Sequence, residues 1–331
     1  MIKTIYIEEE IKDHERTKKI LLKFKNVRKI FIEKYTEIFN KKNQNFRIQK
    51  INPSLILAKK KENFVLKTPT GFGIGSTKNY YFSHMYNCIY DCRYCFLQGM
   101  YSSANFVLFV NYEDFFDKIN TLIHQNQKEK LTFFSGYDCD SLALEKITGF
   151  AEYAVSKINF NKNILFEFRT KSIQLEPFIN SEPKKNIILA FSLLPKEISV
   201  NLDLTAPLID KRINTMRKIS EHGWQIGIRL DPLIYHEGWK KNYKNLIENI
   251  CNTVNERNIH SISFGSIRFP KKMFKKIYNL YPDEKLFSNN LVQNNKVITL
   301  NREIEKDMFK FCRTLTKSKF NNTPIFSCVS Y

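Results

Sequence analysis

The sequence has no apolar run that approaches the length of a membrane span, and its opening stretch MIKTIYIEEEIKDHERTKK lacks the apolar centre of a signal peptide. These two absences predict a cytoplasmic protein.

The sequence is also short of acidic residues, with 33 Asp plus Glu against 53 Lys plus Arg and a formal net charge of +20. Such an excess favours a polyanionic partner, because each neutralised phosphate releases a condensed counterion. The alternative is a lysine-rich composition throughout, as in KKNQNFRIQK.

The cysteines do not form the pattern of a disulfide framework, because there are seven of them, spread over 331 residues without a secretory signal. Three of them lie close together in NCIYDCRYCF, as Cys88, Cys92 and Cys95, and no fourth cysteine is near. A closed structural zinc site needs four protein ligands, whereas an iron-sulfur cluster can leave one iron for another ligand. Two interpretations therefore stay open: a zinc site that recruits His84, and an iron-sulfur cluster.

Short apolar runs alternate with helical stretches after residue 78, which predicts an α/β protein with parallel strands in a barrel or an open sheet. We expect an N-terminal α/β extension over 1–77, the barrel over 78–266 and a C-terminal extension over 267–331. The last contains a helix, a hairpin in SNNLVQNNKVITL, and a closing helix and strand. The predicted barrel strands are YYFS (80–83), LTFFS (131–135), ILFEF (164–168), IILAFS (187–192), QIGIRL (225–230) and SISF (261–264).

The cysteine cluster follows the first predicted strand, and Cys139 follows the second. The carboxyl ends of parallel strands meet at one edge of a barrel, where its active-site loops converge. We therefore expect the cluster to lie over the barrel mouth. The stretch GFGIG (71–75) imitates a dinucleotide-binding loop, but no clear strand, turn and helix surround it, so we do not assign it that role.

The spacing Cys-x3-Cys-x2-Cys, with Tyr94 before the last cysteine, resembles the signature of the radical S-adenosylmethionine superfamily. Further motifs are similar to those of the spore photoproduct lyase family over nearly the whole chain. They are IYIEEE, CRYCFLQG, RTKS, AFSLLP, APLIDKRI, IYHEGW and FPKKMFKKIYNLYP. The resemblance implies a partial (β/α)6 radical S-adenosylmethionine barrel and an enzyme that repairs 5-thyminyl-5,6-dihydrothymine in DNA.

The resemblance also implies the cofactors and their ligands. Cys88, Cys92 and Cys95 would hold a four-iron, four-sulfur cluster, and S-adenosylmethionine (AdoMet) would chelate its remaining iron. Lys171 of RTKS and Ser192 of AFSLLP match positions that hold the amino-acid end of AdoMet, beside Tyr94. An electron donor such as flavodoxin or ferredoxin would reduce the cluster. We expect a monomer.

Two positions depart from the family pattern. The family has a tyrosine after the last cluster cysteine, where this chain has Phe96. The family's hydrogen-donor cysteine falls on Tyr137, and Cys139 lies two residues further on. The resemblance therefore leaves Cys139, Tyr137 and Tyr94 as candidate catalytic residues for returning a hydrogen atom to the product.

The substrate stays open on sequence grounds. The first hypothesis is repair of the thymine lesion in DNA, and the second is the same radical chemistry on another nucleic-acid base or a non-DNA molecule. The third is a zinc-stabilised nucleic-acid-binding protein without catalysis. For the DNA contact we expect the start of the C-terminal helix and the hairpin near the barrel mouth. The predicted DNA-binding residues are Arg268, Lys271, Lys272, Asn294, Asn295 and Lys296.

The basic composition gives a first prediction. If the excess charge binds phosphates, affinity for duplex DNA should fall steeply with salt, because each phosphate contact releases a counterion. For about six contacts we expect a loss of roughly 10³-fold in affinity between about 50 mM and 200 mM salt. A fluorescence-anisotropy titration of a labelled duplex measures this slope. An affinity that stays flat over this range would attribute the charge to composition alone.

Overall fold

A computed structural model describes residues 2–159, 161–288 and 290–328. Within these residues no helix combines the length and the apolar character that a membrane crossing requires. The strands are β1 (Thr4–Glu8), β2 (Arg28–Ile32), β3 (Leu55–Ala58), β4 (Leu66–Lys67), β5 (Lys78–Phe82), β6 (Met85–Tyr86), β7 (Phe106–Phe109), β8 (Leu131–Ser135), β9 (Ile164–Thr170), β10 (Ile187–Ser192), β11 (Gln225–Leu233), β12 (Ile259–Ser266), β13 (Arg268–Pro270), β14 (Leu291–Asn294), β15 (Val297–Leu300) and β16 (Ile325–Cys328).

The helices cover the faces of the sheets and form most of the connections. They are α1 (Glu15–Leu22), α2 (Phe46–Ile51), α3 (Leu97–Met100), α4 (Tyr112–Gln125), α5 (Glu145–Thr148), α6 (Phe150–Lys157), α7 (Glu176–Ile179), α8 (Lys196–Leu202), α9 (Ile209–Glu221), α10 (Trp239–Thr253), α11 (Lys271–Leu280) and α12 (Arg302–Lys319). The spacing of apolar residues in LALEKITGFAEYAVSKI (142–158) predicts one helix. The structure has two helices there, α5 and α6, because Gly149 between them takes a left-handed φ of 58°.

All six predicted barrel strands are confirmed, as β5 and β8 to β12. They belong to an eight-stranded sheet with the order β16-β12-β11-β10-β9-β8-β5-β4, in which β4 alone is antiparallel to its neighbour. The barrel strands β5 and β8 to β12 lie side by side in chain order and are parallel, so a crossover connection joins each to the next. The predicted partial barrel is therefore confirmed, and the closing strand β16 adds a further parallel strand beside β12.

A second sheet has the order β2-β1-β3-β7-β6. Its first four strands are parallel, and β6 is antiparallel to β7. Two of its strands, β6 and β7, follow residue 77, whereas β4 precedes residue 78 and pairs with the barrel. The two sheets therefore exchange strands across the predicted boundary at 77, and the division into 1–77, 78–266 and 267–331 stays a prediction.

A network of charged side chains lies inside the barrel. Glu167 on β9 accepts hydrogen bonds from Arg229 on β11, at 2.7 Å and 3.2 Å, and from Arg169, at 3.2 Å. Arg169 also lies 3.4 Å from Asp231. Glu167 and Arg229 are fully buried, so each needs the other to offset the loss of water. The arginines lower the pKa of Glu167, although burial alone would raise it.

The segment 68–75, called the strap, follows β4 in the connection to β5 and contains the GFGIG stretch. Its Ile74 is buried against Ile188 and Ala190 of β10, inside the barrel. A Cβ on Gly75 would lie 3.2 Å from the ring of Phe326 on β16. The strap thus contacts the opposite edge strand and closes the open side of the barrel, so GFGIG has a structural use instead of a dinucleotide-loop geometry.

The predicted hairpin and helix of the C-terminal extension are confirmed as β14, β15 and α11, with Asn289 of the quoted hairpin stretch outside the described residues. The hairpin joins β13 in a three-stranded antiparallel sheet of order β13-β15-β14. Helix α11 packs on α3 at Gly99, where a Cβ would lie 2.5 Å from the Met273 carbonyl oxygen and 2.8 Å from Ile277. The extension is therefore in close contact with the helix that follows the cysteines.

This close packing predicts the effect of Gly99→Ala. The added methyl group must push α3 and α11 apart, which should lower the free energy of unfolding by about 1–3 kcal/mol, a usual cost of overpacking. Urea denaturation followed by circular dichroism measures the change. Ser102→Ala, just beyond α3, is the control and should change stability by less than about 0.5 kcal/mol. Equal stability of the two variants would contradict the packing described.

Candidate functional site

A cavity of about 480 Å³ lies at the carboxyl edge of the eight-stranded sheet. Parallel strands end together at this edge, so the loops that follow them converge there. All predicted catalytic and cofactor-binding residues line the cavity: Cys88, Cys92, Tyr94, Cys95, Tyr137, Cys139, Lys171 and Ser192. Their individual roles stay predictions, but they are in place to act on one bound molecule.

The cysteines lie on the loop 87–96, called the cluster loop, between β6 and α3. Its first residue, Asn87, takes a left-handed φ of 66° and donates hydrogen bonds to the carbonyl oxygens of Ser103 and Asn105, at 2.8 Å and 2.7 Å. Asparagine tolerates this conformation better than most residues. The backbone NH of Cys95 donates to the carbonyl of Cys92 at 3.0 Å, which turns the chain into α3. Hydrogen bonds from Asn87 at its start and from Cys95 near its end therefore hold the cluster loop in place.

The thiols of the cluster loop lie in an apolar setting. Burial raises the pKa of Cys88 to about 12 and that of Cys92 well above its ordinary value, and Cys92 is 3% exposed. The thiolate is the form that binds metal, so binding here must displace protons. Three soft sulfur ligands on one loop fit an iron-sulfur cluster chemically.

The geometry does not form a site for one metal ion. Among the described residues, no three His, Cys, Asp or Glu side chains converge on a point where a single ion could bind. His84, the fourth ligand of the zinc interpretation, instead stacks on Phe150 with ring centroids 3.9 Å apart. With His84 packed on Phe150, the zinc interpretation lacks its predicted fourth ligand, whereas a four-iron cluster needs only the three thiolates.

A buried carboxylate that the sequence analysis missed, Asp203, holds the cluster loop to the barrel. It accepts a hydrogen bond from the phenol of Tyr94 and lies 2.8 Å from Nη2 of Arg212. The Asp203 and Arg212 side chains are 1% and 0% exposed. Burial alone would raise the pKa of Asp203, but Lys171 and Arg212 lower it, so the carboxylate is charged. Backbone pairing of Cys92 with Asp203 adds a second connection.

Lys171 follows β9 and points toward the cysteines. Its amine lies 5.3 Å from the centroid of the Tyr94 ring. Burial alone would lower its pKa, but the interactions with the neighbouring Cys92 and the charged Asp203 raise it above the ordinary value. Its backbone NH donates to Asp140 at 2.7 Å, which fixes the strand end. A fixed ammonium group beside the thiols can bind a carboxylate there.

Ser192 ends β10 and is 8% exposed at the cavity. Its carbonyl oxygen accepts a hydrogen bond from Arg212 at 3.1 Å, so the strand end is held by the same arginine that pairs with Asp203. The hydroxyl is a small polar group at the predicted AdoMet position.

Two of the three hydrogen-donor candidates, Cys139 and Tyr137, differ in their exposure to solvent. Cys139 is 7% exposed, and burial raises its pKa well above the ordinary value, so it is a thiol. Tyr137 is 38% exposed and packs on Tyr81, with ring centroids 4.2 Å apart, and on Phe96, at 5.6 Å. Both line the same cavity. The cysteine is therefore inside and the tyrosine nearer to solvent.

The predicted DNA-binding residues lie on the unit formed by β13, α11 and the hairpin. Arg268 lines the cavity, with its guanidinium 4.5 Å from the Phe72 ring of the strap. Lys271 and Lys272 are exposed at the start of α11, and the Lys271 NH donates to the Lys296 carbonyl at 2.8 Å. The hairpin residues Asn294, Asn295 and Lys296 are exposed. The set forms one polar, basic surface beside the cavity mouth, apart from Arg268, which lies within it.

Sequence reasoning also missed Arg169 and Asp231, which form an ion pair at the cavity. The sequence contained a signal for these residues, because each of two apolar strands carries two charged residues two positions apart. They are Glu167 and Arg169 on β9, and Arg229 and Asp231 on β11. Residues two apart on a strand face the same side, so these charges had to share the barrel interior.

An α/β half barrel with three cysteines on a loop over its mouth defines the class of radical S-adenosylmethionine enzymes. A sequence profile described as "Spore photoproduct lyase" matches residues 1–303. The chain therefore belongs to the spore photoproduct lyase family.

Individual relatives are distant in sequence. The chain is 24% identical to the spore photoproduct lyase of Bacillus subtilis (strain 168) over 202 residues, which are 60% of this chain and 59% of that protein. It is 22% identical to that of Clostridium acetobutylicum over 209 residues, 63% of this chain and 62% of the relative. The matched region thus spans about 59–62% of these two curated relatives' length.

The fold is much more similar than the sequence. A cysteine-to-serine variant of spore photoproduct lyase superimposes with a TM-score of 0.85 at 17% identity, covering 99% of both chains. A double variant with bound AdoMet and dinucleoside spore photoproduct gives 0.84 at 17% identity, covering 98% of both chains. These likenesses confirm the predicted fold.

The Asp203 contacts predict the effect of Asp203→Asn. The variant leaves Arg212 as a buried charge without its partner, which should cost about 3–5 kcal/mol of the free energy of unfolding. It should also loosen the cluster loop, so less iron should be retained after anaerobic reconstitution. Urea denaturation of the iron-free protein and an iron assay measure the two effects. Asp210→Asn, an exposed position on α9, is the control. Matching values for the two variants would contradict a positioning role for Asp203.

Proposed function

We propose that the chain is a radical AdoMet lyase that reverses 5-thyminyl-5,6-dihydrothymine in DNA to two thymines. The observation that carries this proposal is that the cysteine triplet, Lys171, Ser192 and all three hydrogen-donor candidates line one cavity. Family membership and the fold support it. Two further expectations join the proposal, a monomeric state and a cytoplasmic location.

The chain's own residues bind and orient the cofactors. Cys88, Cys92 and Cys95 would hold a four-iron, four-sulfur cluster, and Lys171 would bind the carboxylate of AdoMet beside it, with Ser192 at its amino-acid end. When bound, this pair supplies a 5′-deoxyadenosyl radical after the cluster receives one electron. The buried ring of Tyr94 would limit the access of water beside Lys171.

The lesion must leave the base stack to reach the cavity. The basic surface of Lys271, Lys272 and Lys296 can bind phosphates, and the exposed hairpin at Asn294 and Asn295 can enter the duplex. Extrusion costs a few kcal/mol and is least costly at a damaged base, which favours the lesion over intact DNA. Arg268 lies inside the cavity mouth, where it can contact the extruded nucleotide.

A hydrogen atom must then return to the product radical. The S–H bond of a thiol is weak, and Cys139 lines the cavity as a protonated thiol. We therefore assign Cys139 as the first donor and Tyr137 as the alternative. Phe96 has no hydroxyl and cannot relay a hydrogen atom.

A second candidate function is favoured by the same two departures. With Phe96 and Tyr137 in place of the family's tyrosine and cysteine, the part of the cavity that meets the substrate differs from the family pattern. The same radical chemistry could then act on another nucleic-acid base or on a non-DNA molecule.

The test is incubation of the anaerobically reconstituted protein with authentic lesion dinucleotide, dithionite and AdoMet. Formation of thymine and 5′-deoxyadenosine, measured by liquid chromatography, is expected. Formation of 5′-deoxyadenosine without thymine would favour the second candidate function. Absence of both would overturn the radical assignment itself.

The donor assignment predicts different products from two variants. Cys139→Ala should still cleave AdoMet and consume the lesion, but its product radical should form adducts from solvent or reductant, because the nearest thiol is gone. Tyr137→Phe should give clean thymine at close to the parent rate. Mass spectrometry of the products distinguishes them. Clean thymine from Cys139→Ala and adducts from Tyr137→Phe would transfer the role to Tyr137.

A further inference from the structure

Lys50 on α2 contacts the cluster loop from the N-terminal part of the chain. Its amine donates hydrogen bonds to the carbonyl oxygens of Cys88 and Tyr90, at 3.1 Å and 3.3 Å. The side chain is half-buried and lines the cavity. Both acceptors are uncharged, so neither neutralises the positive charge of the amine. An ammonium group is therefore held beside the first cysteine of the triplet, whereas the stretch KKNQNFRIQK that contains it reads in sequence only as a lysine-rich tract.

One short segment, at Ser103 and Ala104, holds both α2 and the start of the cluster loop. Gln49, the neighbour of Lys50, accepts hydrogen bonds from the Ser103 hydroxyl at 3.1 Å and from the Ala104 NH at 2.9 Å. Asn87 at the start of the cluster loop donates to the Ser103 carbonyl at 2.8 Å. Lys50 and the cluster loop are therefore anchored to the same piece of backbone, which fixes the one relative to the other.

The Lys50 contacts define a turn at the first cysteine. Within this turn the Tyr90 NH donates to the sulfur of Cys88 at 3.4 Å. Because Lys50 binds the carbonyl oxygens of both residues, it stabilises the backbone conformation in which this NH points at the sulfur. Hydrogen bonds to the sulfur ligands are among the features that set the reduction potential of an iron-sulfur cluster.

The charge of Lys50 acts on two of the three thiols. Burial raises the pKa of Cys88 and of Cys95, and the positive charge of Lys50 opposes this rise at both. One-electron reduction adds a negative charge to a cluster, so a fixed cation beside it stabilises the reduced form more than the oxidised form. The ammonium group is therefore placed to favour reduction as well as to fix the turn.

Two lysines, Lys50 and Lys171, line the cavity and differ in their contacts. The amine of Lys171 lies beside the ring of Tyr94, 5.3 Å from its centroid, where it is proposed to bind AdoMet. The amine of Lys50 is engaged by two carbonyl oxygens of the cluster loop. Lys50 therefore acts through the loop and its charge, and the two lysines have separate roles.

We propose that Lys50 is a positioning residue of the cluster, which fixes the turn at Cys88 and raises the reduction potential of the bound cluster. This inference rests on the proposed function. It gives α2 a part in the chemistry of the barrel, because reduction of the cluster is the first requirement of AdoMet cleavage. Lys50 itself gains and loses no electron, and it makes and breaks no covalent bond.

The first test compares Lys50→Met with Lys50→Arg and with Lys42→Met. The first variant removes the charge and both hydrogen bonds, the second keeps a charged donor, and the third removes the same charge from an exposed position. Midpoint potentials are measured by anaerobic titration of the reconstituted protein without AdoMet, followed by absorbance. We expect the equilibrium constant for one-electron reduction to fall about tenfold in Lys50→Met, which is about 59 mV, and to change by less than about twofold in the other two variants.

The second test needs no cluster. Hydrogen exchange of the iron-free protein, followed by mass spectrometry, reports on the peptide that covers the cluster loop. We expect exchange in this peptide to be about tenfold faster in Lys50→Met than in Lys42→Met, because the loop loses two hydrogen bonds to a charged group.

Equal potentials of Lys50→Met and Lys42→Met would overturn the proposal, and so would equal exchange of their cluster loops. If Lys50→Met retains too little iron for titration, Lys50→Gln, which keeps a donor without the charge, is measured in its place and should shift in the same direction. A wild-type protein that binds no cluster would count against the proposed function alone, and the exchange rates would then decide the role of Lys50.

Discussion

The carboxylate of Asp203 is the interaction on which the site depends. It has almost no contact with water, and it connects Tyr94 of the cluster loop to Arg212 of α9. A buried charge of this kind is tolerated only when partners satisfy it, so Tyr94 and Arg212 have little freedom to move. Since Arg212 also donates to the Ser192 carbonyl, one ion pair sets the position of the cluster loop relative to the strand ends.

The sequence predicted those parts of the fold that depend on the local pattern of apolar residues. Parallel strands covered on both faces read as continuous apolar runs, and IILAFS became β10 with every residue buried. The place of the cysteines after the first barrel strand followed from chain order. The sequence did not reveal that β6 and β7 leave the barrel for the other sheet, because strand pairing depends on distant segments. The Tyr94–Asp203 contact spans 109 residues and has no local signature either.

The departures from the family pattern concern one pair of aromatic rings. Phe96 and Tyr137 lie 5.6 Å apart at the cavity. The resemblance implies a tyrosine in place of Phe96 and a cysteine in place of Tyr137. This chain would then have its one hydroxyl at the second position, and it has a thiol two residues away at Cys139. The resemblance thus places both departures among the predicted substrate contacts, whereas Lys171 and Ser192 match the motifs predicted to hold AdoMet.

The central claim is that the three cysteine thiolates on the cluster loop hold an iron-sulfur cluster, and the direct measurement is the iron, zinc and acid-labile sulfide content of anaerobically purified protein. The account predicts about four iron and about four sulfide per chain, with a brown colour. It also predicts that a Cys92→Ala variant loses most of both. About one zinc per chain with no labile sulfide, or full iron and sulfide in the Cys92→Ala variant, would contradict it.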